Sequence, residues 1–467
     1  MLDRREDDRS PAERDAAGKA ARELAPRSSH GEWEPAADRS DPVELLEQQA
    51  SSRVGQLLPL RYGRMLVSAF TFYRGAAAIM AADLAGTPAS GLVTQLCGDA
   101  HLSNFGAFAS PGRELVFDVN DFDETLPGPW EWDVKRLAAS FSVAGRDRRF
   151  PARERRRIVT AMAAEYRAAM RRLAAIGNLE VWYTQMDVPT IADRWAEAAG
   201  EKEVKAFQRN LAKAQAKDRM RALSKLTHEV DGQLRIVSEP PLIIPLRELA
   251  DADPAEVEAR VREILADYRE TLAEDRRVLL DSYRYVDAAL KVVGVGSVGT
   301  RAWIVLLQGR DEGDPLFLQV KEAQPSVLEP YAEPTAFAQQ GERVVQGQRL
   351  VQAASDILLG WVRAKGVDDK QRDYYVRQLW DQKGSARVEN MDARGLTAYA
   401  QICGTTLAHA HARSGDRIAI AGYLGKGDSF DKAIAAFAES YADQNERDYA
   451  ALKAAEAEGR IEVAPVP

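Results

Sequence analysis

Residues 92–133, LVTQLCGDAHLSNFGAFASPGRELVFDVNDFDETLPGPWEWD, constrain the fold more than any other stretch of the chain. A β-branched run leads into Gly98-Asp99-Ala100-His101-Leu102-Ser103-Asn104, and Leu115-Val116-Phe117 leads into Asp118, Asp121 and Asp123. The pattern predicts two strands that each deliver carboxylates to a turn. Like charges gathered at strand ends cost free energy unless a cation or a reaction uses them. Whatever fold the chain adopts must therefore support a polar site where two strands end.

The remaining sequence sets the scale of that fold. A chain of 467 residues can form two or three domains or one large two-lobed unit. No apolar run approaches the ~20 residues of a membrane span, so no membrane partner is expected. The opening MLDRREDDRSPAERD lacks the apolar core of a signal peptide, and Cys97 and Cys403 are the only cysteines. A cytoplasmic location is the expectation. A net charge of −8 argues against a nucleic-acid partner.

Residues 1–41 have almost no large apolar side chains and read as a disordered charged tail. Residues 42–289 read as a helical lobe that carries the acidic loops, with helices expected from Asp41-Pro42, over 72–84, from Trp132, over 152–176 and over 254–285. Residues 203–227 read as a charged helical insertion. From about 290 the character turns to β, with a hairpin through KVVGVGSVGTRAWIVLLQGR and LFLQVKEA; helix is expected over 336–365 and a strand over 374–379, and the β-rich lobe closes near 395. Helices at 396–413 and 431–457 then return to the helical lobe.

Gly294-x-Gly296-x-x-Gly299 has a spacing common to many turns, so its context decides its meaning. A dinucleotide site needs a helix after the glycines, whereas Ala302-Trp303-Ile304-Val305-Leu306-Leu307 is a strand. Strand, glycine turn and strand is the arrangement that covers nucleotide phosphates in kinases. Gly294, Gly296, Ser297 and Gly299 are thus candidates for the phosphate loop, and Lys321 on the next strand for the lysine that holds the phosphates. An acid on the following helix should hold that lysine, with Glu342 the choice and Asp356 the alternative. Asp99, Asn104 and Asp121 then offer a base and two oxygen ligands for magnesium.

The run GDAHLSN resembles the GDxHxxN catalytic loop of aminoglycoside phosphotransferases and choline kinases, within the protein-kinase-like superfamily. The resemblance implies Asp99 as base, Asn104 and Asp121 on magnesium, and Asp133 as a structural acid at a helix start. His101 would order the loop, though a hydrogen-bonded core histidine fits equally. Cys97 departs from that family, whose loop usually has His there. RYGRM, FYRGAA, NDFDET, WEWDVKRLA, GVGSVGT, LQVKEA and GQRLVQAASD also resemble a bacterial family known as a domain of unknown function, DUF2252.

In kinases the glycine loop precedes the catalytic loop, yet Asp99 lies about two hundred residues before Gly294. The only lysine ahead of Asp99 is Lys19, in the charged tail. The expectation is an α+β, bilobal, kinase-like fold, circularly permuted, with the adenine-binding hinge at about residues 380–382. The expected function is ATP- and magnesium-dependent phosphoryl transfer to an unknown hydroxyl acceptor. Nucleotidyl transfer from the same pocket and a non-catalytic nucleotide-binding module are the alternatives. Arg64 and Arg74 are either ligands for a substrate anion or structural arginines. Trp130 and Trp132 are either core anchors or a substrate platform.

Overall fold

The computed structural model describes residues 8–188, 191, 219–230, 232–249, 254–292, 294, 296, 298–366, 370–379 and 384–465. It is a mixed α+β molecule whose largest sheet has six strands, all antiparallel to their neighbours. The order across that sheet is Gly360–Lys365, Gln371–Gln378, Pro315–Glu322, Ala302–Gln308, Arg284–Lys291 and Ile243–Pro245. Lys321 therefore lies on an inner strand, opposite Tyr375 on one side and Ala302 on the other.

Alternation along these strands separates two faces. Val305, Leu318, Val320, Tyr374 and Val376 form an apolar core with Tyr268 and Leu272 beneath the Pro254–Arg269 helix. On the opposite face, Ile304, Leu306 and Phe317 pack with Ala222 and Leu226. Lys321 and Gln319 share the parity of Phe317, and their cross-strand neighbours are Tyr375 and Arg377.

The acidic loops hang on smaller pairs. Val93–Leu96 pairs antiparallel with Leu126–Pro129, and Phe105–Ala109 pairs with Leu115–Val119 and with Gly384–Ser385. These rest on helices Trp130–Asp147, Ala152–Ala174 and Ala393–Ser414, whose buried faces supply the main core. The C-terminal helix Ser429–Ala457 packs across the first two.

Several expectations need correction. The helix expected over 254–285 is two helices, Pro254–Arg269 and Glu274–Leu280, followed by the strand Arg284–Lys291. That strand and Ile243–Pro245 both precede 290, so the sheet recruits residues ahead of the expected lobe boundary. Helix over 336–365 is confined to Gln340–Val351, because GWVRAK alternates buried and open positions and pairs as an edge strand. The 72–84 helix is broken at Ala76 into Ala69–Gly75 and Ala77–Ala85.

The tail is the largest departure. Pro11–Ala20 is a helix with a capping box between Ser10 and Glu13, and it packs on Arg417–Leu424. A side chain at Gly18 would meet the Ala419 carbonyl oxygen at 1.9 Å, so the two helices touch backbone to backbone. Arg14 bridges to Asp416 at 2.7 Å, and Arg22 and Arg27 donate to main-chain carbonyls at 422–424. Polar contacts to the other end of the chain replace the apolar burial that the composition lacks. The expected insertion at 203–227 lies largely outside the described residues, as does the expected hinge at 380–382.

Candidate functional site

The acidic stretch is held in place from below. Asp133, in the first turn of the Trp130–Asp147 helix, accepts from the backbone N–H groups of Cys97 and Gly98 at 2.7 and 3.1 Å. His411 Nε2 lies 3.3 Å from the same carboxylate and its Nδ1 lies 2.8 Å from the Tyr166 hydroxyl. Gly98 has φ +84°, and a Cβ there would meet the Glu124 carbonyl oxygen at 2.2 Å. Only glycine allows the loop at 98–104 to lie this close to the loop at 120–124.

Asn104 Nδ2 donates to the Asp99 carbonyl at 2.9 Å, which closes the first loop and makes the amide oxygen the end available to a ligand. Asp99 Oδ1 accepts from Arg136 Nε at 2.9 Å and lies 2.8 Å from Arg136 Nη2. Arg136 in turn sits over the Tyr73 ring, 3.9 Å from its centroid, and donates to the Tyr73 carbonyl. Burial raises the Asp99 carboxyl above the usual carboxylate range even though Arg136 pulls it down. His101 is buried, and burial together with Arg74 and Arg136 pushes its ring well below the usual histidine range. It lies 3.8 Å from Asp99, and its Nδ1 accepts from the Ser103 N–H, so it orders the loop as a neutral ring.

Lys321 is paired with Asp123, not with Glu342. Its Nζ lies 2.6 Å from Asp123 Oδ2, while the Tyr375 hydroxyl donates to Asp123 Oδ1 at 2.6 Å. Burial works against the Asp123 charge, but Lys321 and these hydrogen bonds outweigh it and hold the carboxyl below its ordinary value. Asp121 is raised by burial and then by Asp123 beside it. Glu342 stands in the first turn of Gln340–Val351, where its N–H donates to Gln339. Asp356, the alternative, accepts from the N–H groups of Leu358 and Gln378. Asp123 takes the post because the 120–124 turn brings it onto the sheet face directly beside Tyr375.

These groups open onto one cleft of about 430 Å³, lined by Asp99, His101, Asn104, Asp121 and Asp123 and, from the far part of the chain, by Gly294 and Gly296. Lys321 is not among the lining residues and is linked to the cleft through Asp123. The glycine loop is pinned from outside, since Arg53 Nη1 donates to the carbonyls of Gly296 and Val298 at 2.8 and 2.6 Å and Arg64 Nη1 donates to the Gly294 carbonyl. Gly299, with φ +89°, packs on the Arg53 side chain beside the cleft and accepts from the Val54 N–H. Ser297 lies outside the described residues. A second cavity, of about 200 Å³ and almost wholly apolar, lies on the opposite face of the sheet beneath Val261 and Tyr268.

A family model described as an uncharacterized protein conserved in bacteria (DUF2252) matches residues 53–455. The chain belongs to the DUF2252 family. No curated protein and no solved structure matches it. The DUF2252 span contains Asp99, His101, Asn104, Asp121 and Asp123, the loop glycines Gly294, Gly296 and Gly299, and Lys321, and it begins at Arg53, the residue that anchors the glycine loop.

Within this DUF2252 chain the sequence left several site residues without a role. Asp123 was visible as one of the acids, but nothing local distinguishes a lysine partner from a surface carboxylate. Arg136, Tyr375 and Arg53 reach the site only through tertiary contacts. Trp130 is fully buried and stacked on Tyr166 at 5.6 Å, so it is a core anchor. Trp132 is buried as well, within a second core cluster. Among the described residues no three His, Cys, Asp or Glu converge as a metal cage, and no helix is long and apolar enough to cross a membrane.

Proposed function

We propose that this chain is an ATP- and magnesium-dependent phosphotransferase with a circularly permuted, bilobal kinase-like arrangement, acting on a hydroxyl of a small molecule or protein. The observation that carries the reading is the single cleft in which Asp99, Asn104 and Asp121 meet Gly294 and Gly296 from a segment about two hundred residues away. Phosphoryl transfer needs little covalent chemistry from the protein beyond positioning and charge, and these are the groups it uses.

In this reading Asp99 orients the acceptor. The acceptor oxygen bonds to the γ-phosphorus, its proton passes to Asp99, and the bond from phosphorus to the β,γ-bridging oxygen breaks with its electron pair on departing ADP. A carboxyl raised by burial and fixed by Arg136 suits that task. Backbone at Gly294 and Gly296 covers the phosphates, and Lys321, oriented by Asp123, balances their charge. The donor set also suits magnesium, which favours one or two carboxylates plus phosphate oxygens over an all-protein cage. Asn104, whose amide oxygen is free of the bond to Asp99, and Asp121 would hold the ion, which would offset charge on the phosphates.

One feature of the sheet and one of a helix support the permuted arrangement. The lysine strand lies between the glycine-loop strands and Gln371–Gln378, and the latter leads toward residues 380–382, the proposed adenine hinge. The Ala393–Ser414 helix then ends beside the acidic loops, with the Ser414 hydroxyl accepting from the Gln95 N–H.

ATP labelled separately at the α and γ phosphates, incubated with the protein and a small-molecule extract, tests the proposal. Transfer of the γ label alone is expected. An α label on the acceptor would replace the proposal with nucleotidyl transfer, and nucleotide binding without transfer of either label would replace it with a binding module.

A further inference from the structure

Arg74 closes the Ala69–Gly75 helix and lines the cleft beside Asp99 and His101. Its Nε is enclosed by protein yet has no hydrogen-bond partner. The other described arginines that line the cleft are engaged through their terminal nitrogens or an ion pair, Arg53 by Nη1 on the glycine-loop carbonyls although its Nε too has no partner, and Arg372 with Glu322; Arg136 on Asp99 and Arg343 on the carbonyls of Thr125, Asp123 and Gln324 are committed nearby. A donor N–H removed from water without a hydrogen-bonding partner is unfavourable, and since Arg74 is only half-buried and lines the cleft, an anion in the cleft is the group that would engage it.

Its surroundings specify which anion. The backbone at Arg74 meets the glycine loop, because a Cβ at Gly296 would lie 3.2 Å from the Arg74 carbonyl oxygen. Its charge is felt by both Asp99 and Asp121, which offset part of the loss caused by burial. Arg74 is thus bounded by the proposed base, the proposed metal ligand and the tip of the phosphate loop. In phosphoryl transfer the group at the centre of those three is the phosphoryl in flight, whose equatorial oxygens carry the developing charge.

We propose that Arg74 is a catalytic residue that donates to the equatorial oxygens of the transferring phosphoryl group, an arginine supplied in cis by the N-terminal helices. The inference rests on the phosphotransferase reading. Arg74 is uncommitted without substrate because its partner exists only while the γ-phosphoryl is bound and moving. A guanidinium in this role contributes on the order of 10³–10⁵-fold to turnover in phosphoryl-transfer enzymes that use one.

Calorimetric titration with magnesium and ADP, in the presence and absence of fluoroaluminate, tests this without knowledge of the acceptor. Planar tetrafluoroaluminate takes the place of the transferring group. Wild type should bind ADP at least about tenfold more tightly with fluoroaluminate. Arg74→Ala should lose that tightening while its affinity for magnesium and ADP alone changes less than about twofold, and Arg74→Lys should keep part of it. Retained tightening in Arg74→Ala, or its absence in wild type that binds ADP, would overturn the assignment. Weaker binding of ADP alone in Arg74→Ala would assign the arginine to the nucleotide instead. Wild type that binds no ADP would sink the phosphotransferase reading itself, a separate outcome.

Discussion

Asp99 and Asp123 are both half-buried carboxylates at the cleft, yet their partners set them differently. Asp99 is raised by burial and touched by a fixed guanidinium, whereas Asp123 is paired with Lys321 and accepts from the Tyr375 hydroxyl. Asp99→Asn should lower turnover by about 10²–10⁴-fold with nucleotide affinity retained, as measured by label transfer and calorimetry; full turnover would remove Asp99 as base. Asp123→Asn leaves Lys321 as a buried cation without its counter-charge and should destabilise the fold by about 3–5 kcal/mol. Adding Lys321→Met to that variant should recover part of the loss in chemical denaturation, and additive losses would show that the two do not act as a pair. At this scale the sequence was informative about residue type more than partnership. Asp99, Asn104 and Asp121 could be picked out because a short run places an acid and an amide within one turn and a second acid after the next strand. Lys321 was legible from its strand, but its partner was not, because 198 residues separate it from Asp123.

Elements were legible where an apolar run was long and bounded by a turn, and were misread where the pattern was short or the stabilising partners were distant in sequence. The Ala302–Gln308 and Pro315–Glu322 hairpin followed from two apolar runs about a Gly-Asp-Pro turn. Gly360–Lys365 was taken for helix because its neighbours are helical and its alternation spans only a few residues. The N-terminal segment was misjudged because its anchors are arginines whose partners lie about four hundred residues away. His30 offers a handle on that segment: it is buried against Phe430 at 5.4 Å, its Nε2 lies 2.6 Å from the Tyr423 hydroxyl, and burial, then Lys135, lowers its ring to about 3. A depressed histidine contributes stability that is complete above its unfolded value of about 6.5 and is lost as pH falls from there toward 3. His30→Phe, which keeps a ring against Phe430, should therefore flatten the fall in melting temperature between about pH 6.5 and 4. An unchanged acid limb would show that this histidine does not report on the docking of the segment.

For the whole molecule, the informative feature is order along the chain. Two halves of one cleft lie far apart in sequence, the loop at 98–104 held by Asp133 and the glycine loop by Arg53. The sequence offered the two halves and their reversal. It offered Arg64 and Arg74 only as either anion ligands or structural arginines and did not offer Arg53; all three precede both halves in the chain and reach the glycine loop or the cleft through tertiary contacts. The measurement that tests the account most directly is a crystal structure of the protein with magnesium and a non-hydrolysable ATP analogue. The account predicts the phosphates between the Gly294–Gly296 backbone and Asp121, within reach of Lys321, with the terminal phosphate facing Asp99 and Arg74. Phosphates bound elsewhere, or in this cleft but turned away from Lys321 and Asp121, would contradict it.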